Sequence, residues 1–239
     1  MAKRRKKTDD LKRNRLLAAL PDEVLARLRT NLEPIQLALG QVIYEPDETL
    51  AHVYFPTTAI VSLLYTMANG ASAEMGVVGR DGVVGIAVFM GGDTTPNRAV
   101  VQSAGGALQL DVRFFRDEFR RVEELHRYLL LYTQALLTQM SQTAVCNRLH
   151  SIEQQLCRWL LLSHDRLQSD ELVMTQELIA NMLGVRREGV SVAAHRLQEL
   201  GLIEYRRGRI KIVDRPALEG AVCECYQVVR TECDRLLTY

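Results

Sequence analysis

Polar residues that could read the edges of DNA bases lie close together in the C-terminal third of the sequence. Arg186, Arg187, Glu188 and Ser191 begin a stretch with helical spacing, and His195 follows one turn later. Arg can form two hydrogen bonds with guanine, and Glu can accept one from the cytosine amino group. A charged face that only meets solvent is the plainer interpretation. The spacing favours base recognition, because the first residues of a recognition helix point into the major groove.

The residues before this stretch predict the element that positions it. Thr175 suits a helix N-cap and is also predicted to contact DNA, and Ala180 is small at a place where two helices must cross closely. Gly184 falls at the tight turn between the helices, where a positive φ costs little only for glycine. These features together predict a helix-turn-helix around Thr175 to Leu200.

A basic β-hairpin is predicted directly after the helices, from Leu202 to Val213, with Arg207 and Gly208 at its tip. The formal net charge of the chain is only +1, yet residues 183–211 contain seven Lys or Arg and three Glu. Local basic patches, more than net charge, determine where phosphates bind. Arg206, Arg207 and Arg209 are therefore expected to contact the DNA backbone as a wing.

The segment from about residue 34 to 112 has a different sequence pattern, in which short β-prone runs alternate with turn signals such as Asn69-Gly70. Asn-Gly between such runs is a strong hairpin signal. The pattern predicts an antiparallel β-barrel or jelly roll. The predicted strands are Ile35–Leu39, Val42–Tyr44, His52–Phe55, Ile60–Tyr65, Ala73–Val78, Arg98–Val101 and Ala107–Leu110.

Residues 114–148 contain neither Pro nor Gly and predict one long helix with two apolar faces. Such a helix must be covered on both sides. We expect the barrel to cover one side and an identical helix of a partner chain to cover the other, as in a two-stranded coiled coil. Burial within one larger domain is the open alternative. The first face comprises Val122, Leu125, Leu129, Tyr132 and Leu136, and the second Leu130, Leu137, Met140 and Ala144. The predicted dimer interface is Val122, Leu125, Leu129, Tyr132, Leu136 and Met140.

The predicted organisation is a basic disordered tail (1–15), a sensor barrel (16–113), a dimerisation helix (114–148) and a winged helix-turn-helix domain (149–239). The tail contains eight Lys or Arg and two Asp. No apolar run reaches the roughly 18 residues of a membrane span. The N-terminus does not look like a signal peptide either. These observations predict a cytoplasmic protein without a membrane partner.

This order of elements resembles the cyclic-AMP receptor protein and fumarate–nitrate regulator (Crp–Fnr) superfamily over nearly the whole chain. The resemblance implies an α+β fold and a homodimeric transcription regulator that binds double-stranded DNA and contacts RNA polymerase. It also implies that Arg187 and Glu188 read bases. Family members often carry a further base-reading Arg four residues after this Glu, where the present chain has Val192.

The sensor segment departs from the family's cyclic-nucleotide signature. Gly85 is followed by Ile86, where the signature has a Glu for the ribose, and Asn97 stands where it has an Arg for the phosphate. Arg98 is one position away, which on a strand turns it to the opposite face. We therefore expect a pocket at Gly85, Ile86, Asn97 and Arg98 that does not bind cyclic AMP in the usual way. Its effector is not assigned, and no cofactor is predicted.

The five cysteines give no clear metal signature. None precedes Cys146, so the N-terminal iron–sulfur ligands of oxygen-sensing family members are missing, and His52 is an isolated candidate for a haem ligand. Cys223, Cys225 and Cys233 could bind a metal or sense oxidation. Three thiols on a predicted final helix are more often packing residues, so no metal site is predicted.

Two other functional classes fit the sequence less well. A cupin-type enzyme needs clustered metal ligands, but the barrel segment has one histidine, His52, and no His-x-His pair. A nucleotide-binding regulatory module acting on a protein partner would explain the barrel but not the helix-turn-helix. The sequence thus predicts a regulator of transcription and no enzymatic activity.

Overall fold

The computed structural model describes residues 11–167, 169 and 171–237. Its N-terminal half consists of short helices and seven strands. In chain order these are α1 (Arg15–Ala18), α2 (Asp22–Asn31), β1 (Glu33–Leu37), β2 (Val42–Tyr44), β3 (His52–Pro56), β4 (Ile60–Thr66), β5 (Ser72–Val78), α3 (Ala87–Met90), β6 (Arg98–Ser103) and β7 (Gly105–Asp111).

The strands form two antiparallel sheets, in the orders β1-β7-β3 and β2-β6-β4-β5. Alternate residues of each sheet point inwards, as in β3, where Val53 and Phe55 are fully buried. Each of the seven predicted β-prone runs overlaps one of these strands. The predicted α+β fold with an N-terminal antiparallel barrel is confirmed.

The start of the described chain belongs to this core. Positions 1–10 of the predicted tail (1–15) lie outside the described residues. Positions 11–15 are described, and they are not a solvated tail. Leu11 and Asn14 are buried. The Asn14 side chain donates to the carbonyl oxygens of Pro56 and Gly82 at 2.9 Å each, and accepts from the Leu17 amide at 3.1 Å. Because Asn14 lies among Lys and Arg residues, the sequence does not indicate that its side chain is buried and hydrogen-bonded.

The predicted long helix is two helices, α4 (Val112–Arg121) and α5 (Glu123–Leu149), separated by an extended residue at Val122. The bend lets both helices place apolar residues on the barrel, since Phe115 and Leu125 are both fully buried. The single helix expected over 114–148 was therefore wrong at this point.

The predicted dimer interface is corrected by the burial of its residues. Val122, Leu125, Leu129, Tyr132 and Leu136 are all buried in the core shared with the chain's own barrel, and half-buried Met140 packs against the same core. The five buried side chains are unavailable to a partner, whereas Met140 is only partly covered. The outward face of α5 instead carries Leu130, Leu137, Val145 and Leu149, which are 51%, 53%, 45% and 72% exposed. Periodicity revealed two apolar faces but not which one the barrel covers.

The C-terminal half forms a helical domain with a small antiparallel sheet, ordered β8-β10-β9. The predicted final helix is broken near Val222, so that two helices end the described chain. The elements are α6 (Ile152–His164), β8 (Glu171–Val173), α7 (Gln176–Leu183), α8 (Arg187–Glu199), β9 (Ile203–Arg206), β10 (Arg209–Ile212), α9 (Arg215–Ala221) and α10 (Glu224–Leu236).

The C-terminal domain packs on the outer face of the β2-β6-β4-β5 sheet. Ile60, Leu64 and Val77 of that sheet belong to the same apolar cluster as the helix-turn-helix core. Gln102 of β6 donates to Ser163 of α6 at 2.8 Å across this boundary. No helix within the described ranges is long and apolar enough to cross a membrane.

Buried polar groups also lie in this boundary. Ser62 donates to the Glu74 carboxylate, and both side chains are buried. Burial raises the pKa of Glu74 to about 7, so its charge is not fixed near neutral pH. The boundary between the domains is therefore partly apolar and partly a hydrogen-bonded network.

Replacing Asn14 by Ala should destabilise the chain, because two buried carbonyl oxygens would lose their donor. Each unsatisfied group costs roughly 1–3 kcal/mol, so we expect the free energy of unfolding to fall by about 2–6 kcal/mol. Urea denaturation measures this change. Asn31→Ala, at an exposed position on α2, is the matched control. Equal effects of the two substitutions would contradict the anchoring role of Asn14.

Candidate DNA-binding interface

The helix-turn-helix is built as the sequence indicates. Thr175 caps α7, its hydroxyl accepting from the Leu178 amide at 3.3 Å. Gly184 ends α7 with a φ of +67°, and the Val185 amide donates back to the Ala180 carbonyl at 3.0 Å. α8 then begins at Arg187, with Arg186 as its N-cap. The tight turn depends on the freedom of glycine at position 184.

α8 has two distinct faces. Val190, Ala193, Ala194 and Leu197 are buried and hold the helix in its domain. The exposed face begins with the charged side chains of Arg186, Arg187 and Glu188 and continues through Val192 and His195. This arrangement presents hydrogen-bonding groups at the helix N-terminus, the end that enters the major groove in helix-turn-helix proteins.

Two of the predicted reading residues already have partners in the chain. The Ser191 hydroxyl lies 2.6 Å from Gln176 Oε1 and donates to it, which joins the first turn of α8 to the first turn of α7. The His195 ring lies 3.3 Å from Glu199, one turn further along α8. Ser191 therefore positions Gln176 at the surface. Gln176 was not among the predicted residues, although its place beside the N-cap Thr175 could have suggested it.

The predicted wing is the β9–β10 hairpin. Its tip residues Arg207 and Gly208 both have positive φ, +50° and +76°, which is the geometry of a two-residue type I′ hairpin turn. Arg206 and Arg207 are exposed at this tip. Arg209 differs, because its guanidinium pairs with Glu171 on the adjacent β8. DNA would have to compete with that ion pair for Arg209.

A groove of about 470 Å³ separates the start of α8 from the wing. Arg187 and Arg207 both line it. Tyr205 also lines it, with its hydroxyl donating to the Met174 carbonyl at 2.8 Å. The other lining residues are Thr175, Gln176, Glu177, Gln198 and Gly208. The recognition helix and the wing thus line one shared groove, with a guanidinium group on each side of it.

The predicted sensor pocket is partly assembled. Gly85, Ile86 and Asn97 line a cavity of about 150 Å³ between the barrel and α5. Arg98 is not among its lining residues and pairs with Glu45 at 2.9 Å. Most small-molecule sites measure about 300–1,000 Å³, so this cavity is small for a nucleotide.

The chemistry of this cavity is mostly apolar. Asn97 Nδ2 donates to the Tyr44 hydroxyl at 3.3 Å, and burial raises the pKa of Tyr44 to about 12, so the phenol stays protonated. None of the described residues that line the cavity is basic. A phosphate would find no cationic partner there. Leu136 and Met140 of α5 form its far wall.

Two family models match this chain. Residues 34–122 match the cyclic nucleotide-binding domain, and residues 154–221 match the Crp-like helix-turn-helix domain. No curated protein sequence is similar enough to count as a relative.

Several solved structures share the fold at low sequence identity. FixK2 from Bradyrhizobium japonicum is 17% identical, with a TM-score of 0.66 over 80% of this chain and 98% of that one. A CRP-family transcriptional regulator from Thermus thermophilus is 19% identical, with a TM-score of 0.65 over 80% and 99%. The regulator CLP from Xanthomonas campestris is 14% identical, with a TM-score of 0.62 over 81% and 100%.

Gly184→Ala should weaken the reading domain. The left-handed conformation costs alanine roughly 1–2 kcal/mol, and its Cβ would lie 3.1 Å from the Cβ of Ala73 on β5. We expect a corresponding loss in the free energy of unfolding, measured in denaturant. Gly220→Ala is the control, because Gly220 lies inside α9 with open space around it. The Gly220→Ala variant should have an unchanged or slightly higher free energy of unfolding. An equal loss in both variants would contradict the requirement for glycine at the turn.

Proposed function

Because the chain belongs to the Crp–Fnr superfamily of DNA-binding transcription regulators, we propose that it binds a specific operator as a homodimer and contacts RNA polymerase there. The observation that carries the proposal is the exposed polar N-terminus of α8 beside the basic wing. We assign base recognition to the helix and phosphate contact to the wing.

The start of α8 supplies the groups for direct recognition. Arg186, Arg187 and Glu188 offer two guanidinium groups and one carboxylate at the end of the helix that enters the major groove. Val192, which is 72% exposed on the same helix, offers only an apolar contact, such as with a thymine methyl group. The operator half-site should therefore differ from one read by an Arg at that position. Arg206 and Arg207 fix orientation through phosphates.

Dimerisation is assigned to the outward face of α5. Leu130, Gln134, Leu137, Ser141 and Ala144 are exposed and follow alternating steps of four and three residues. This is the spacing of a coiled-coil seam. Two copies joined along this seam would present two recognition helices, as an operator with half-sites about 34 Å apart requires.

The sensor cavity shares residues with α5, so a molecule bound in it would affect the position of the helix that we assign to dimerisation. Leu136 and Met140 belong both to its wall and to α5. An effector that filled the cavity in one state of the dimer and not in another would shift the balance between the states. The size and the uncharged lining favour a small neutral molecule. CLP is described as responsive to c-di-GMP, a ligand with two phosphates, and the cavity here lacks basic lining residues among those described.

Selection from random double-stranded DNA with the purified protein should yield a palindromic site. Arg187→Ala should then weaken binding to that site by about 1–3 kcal/mol and relax the preference at one base position. Arg206→Ala should weaken binding to all sequences alike and reduce the slope of log affinity against log salt by about 1. Fluorescence anisotropy across salt concentrations separates the two effects, because only phosphate contacts release counterions.

Arg113→Ala is the control for these variants. Arg113 is highly exposed at the start of α4 on the barrel and pairs with Asp111, so its loss removes the same charge far from the reading surface. Its affinity should equal that of the parent. Unchanged affinity in Arg187→Ala, or an equal loss in Arg113→Ala, would overturn the assignment of the interface.

Leu137→Glu should split the dimer. Two unpaired carboxylates would face each other across the seam, and a buried unpaired charge costs about 3–5 kcal/mol. The dissociation constant of the dimer should rise by a factor of at least ~100, as measured by analytical ultracentrifugation. Leu39→Glu, on an exposed turn of the barrel between β1 and β2, should leave it unchanged. A dimer that survives Leu137→Glu would place the interface elsewhere.

A further inference from the structure

Four side chains with metal-binding atoms converge where α5 meets α10. Cys146 and His150 come from the last turn and C-cap of α5, whereas Cys223 and Cys225 flank the first residue of α10. Their sulfur and ring nitrogen atoms all lie within 4.8 Å of one another. The three cysteines are buried and the histidine is half-buried. Three thiols and an imidazole are a common ligand set of structural zinc.

The spacing of these atoms fits a tetrahedral ion. Cys146 Sγ lies 3.6 Å from Cys223 Sγ, and Cys225 Sγ lies 3.6 Å from His150 Nδ1. Bonds of about 2.3 Å to sulfur and 2.0–2.1 Å to nitrogen in a tetrahedron separate the ligand atoms by roughly 3.4–3.8 Å. The two observed separations fall in this range, and all four ligand atoms lie within 4.8 Å of one another.

Local structure brings the ligands together from both ends of the C-terminal half. Cys146 and His150 are four residues apart, and so lie on one face at the end of a helix. Cys223 occupies the N-cap of α10 but makes no side-chain capping hydrogen bond. Gln155 donates to the His150 carbonyl at 3.0 Å and holds the chain where α5 gives way to α6.

The surroundings suit a zinc centre with three thiolates, which would carry one negative charge. Arg158 is buried beside the cluster, where its cation would offset this charge. Its Nε has no hydrogen-bond partner within residues 11–167, 169 and 171–237. His150 Nε2 lies 3.4 Å from Glu224. A carboxylate on the far nitrogen is the usual outer partner of a zinc-bound histidine.

Packing alone is the plainer explanation of buried cysteines, since a thiol behaves as a small apolar group. Cys146, Cys223 and Cys225 do form a small apolar cluster. That explanation does not account for the imidazole of His150, whose Nδ1 lies 3.6 Å from Cys225 Sγ. Of the three cysteines considered from the sequence, Cys223 and Cys225 belong to this cluster, whereas Cys233 lies near Arg166. Cys146 and His150 lie far from Cys223 and Cys225 in the sequence, so the sequence does not indicate that they belong to the same cluster.

We propose that Cys146, His150, Cys223 and Cys225 bind one zinc ion per chain. The ion would join the end of α5 to the start of α10 across the point where α6 begins. It would therefore fix the C-terminal domain relative to α5. The inference goes beyond the proposed function and does not rest on it.

Metal analysis of the full chain tests the site directly. Protein produced with zinc and purified under reducing conditions should contain one equivalent of zinc by mass spectrometry. After exchange into Co²⁺, the absorption spectrum should show thiolate-to-cobalt charge transfer together with the visible bands of a tetrahedral ion. These spectra report ligand type in the parent protein, so they hold even where a variant folds poorly.

Variants assign the ligands. Cys223→Ser and His150→Ala should lose the bound zinc, and Glu224→Gln should weaken zinc binding by about 10- to 100-fold in a chelator competition. Cys233→Ser, on the same helix but outside the cluster, should retain a full equivalent. The proposal is overturned if the protein purified under reducing conditions contains no zinc, shows the spectrum of an iron–sulfur cluster, or keeps a disulfide between Cys146 and Cys223. Full zinc content in Cys223→Ser would overturn it as well.

Discussion

α5 is a long helix with apolar residues on several sides, and each side has to be covered. The barrel covers the face of Leu125 and Leu129, and α10 packs along a second side. The face of Leu130 and Leu137 is exposed in the single chain, and it is the face that we propose a partner chain covers. Because α5 is the common wall of all these contacts, it determines where the sensor cavity, the cysteine cluster and the reading domain lie. A change in its position would reach all three.

Features that depend on local chemistry could be predicted from the sequence. The β4–β5 hairpin follows from Asn69-Gly70, where Gly70 adopts a φ of +84°. The helix-turn-helix follows from the cap at Thr175 and the turn at Gly184. In each case a few neighbouring residues restrict the backbone so strongly that tertiary contacts do not alter the outcome. The exposed charges at the start of α8 are local in the same sense.

Features that depend on distant contacts could not be predicted in this way. Periodicity shows that α5 has two apolar faces but contains no signal for which of them meets the barrel. Asn14 lies among basic residues, yet its partners are the carbonyls of Pro56 and Gly82, far along the chain. Cys146 and Cys223 are 77 residues apart. Their meeting follows from the packing of α10 on α5, which the spacing of the cysteines does not encode.

The contacts at the boundary between the two domains determine how much free energy is needed to move one domain relative to the other. Moving the reading domain away from the sheet would break the bond from Gln102 to Ser163 and uncover Leu64 and Val77. Each buried polar group left without a partner costs about 1–3 kcal/mol, and coupling between sites is usually worth about 1–3 kcal/mol. An effector in the small cavity would therefore have to distinguish the two positions of α5 by a similar amount. Leu136 and Met140 line the cavity and belong to α5, so they are the residues through which such an effector would act.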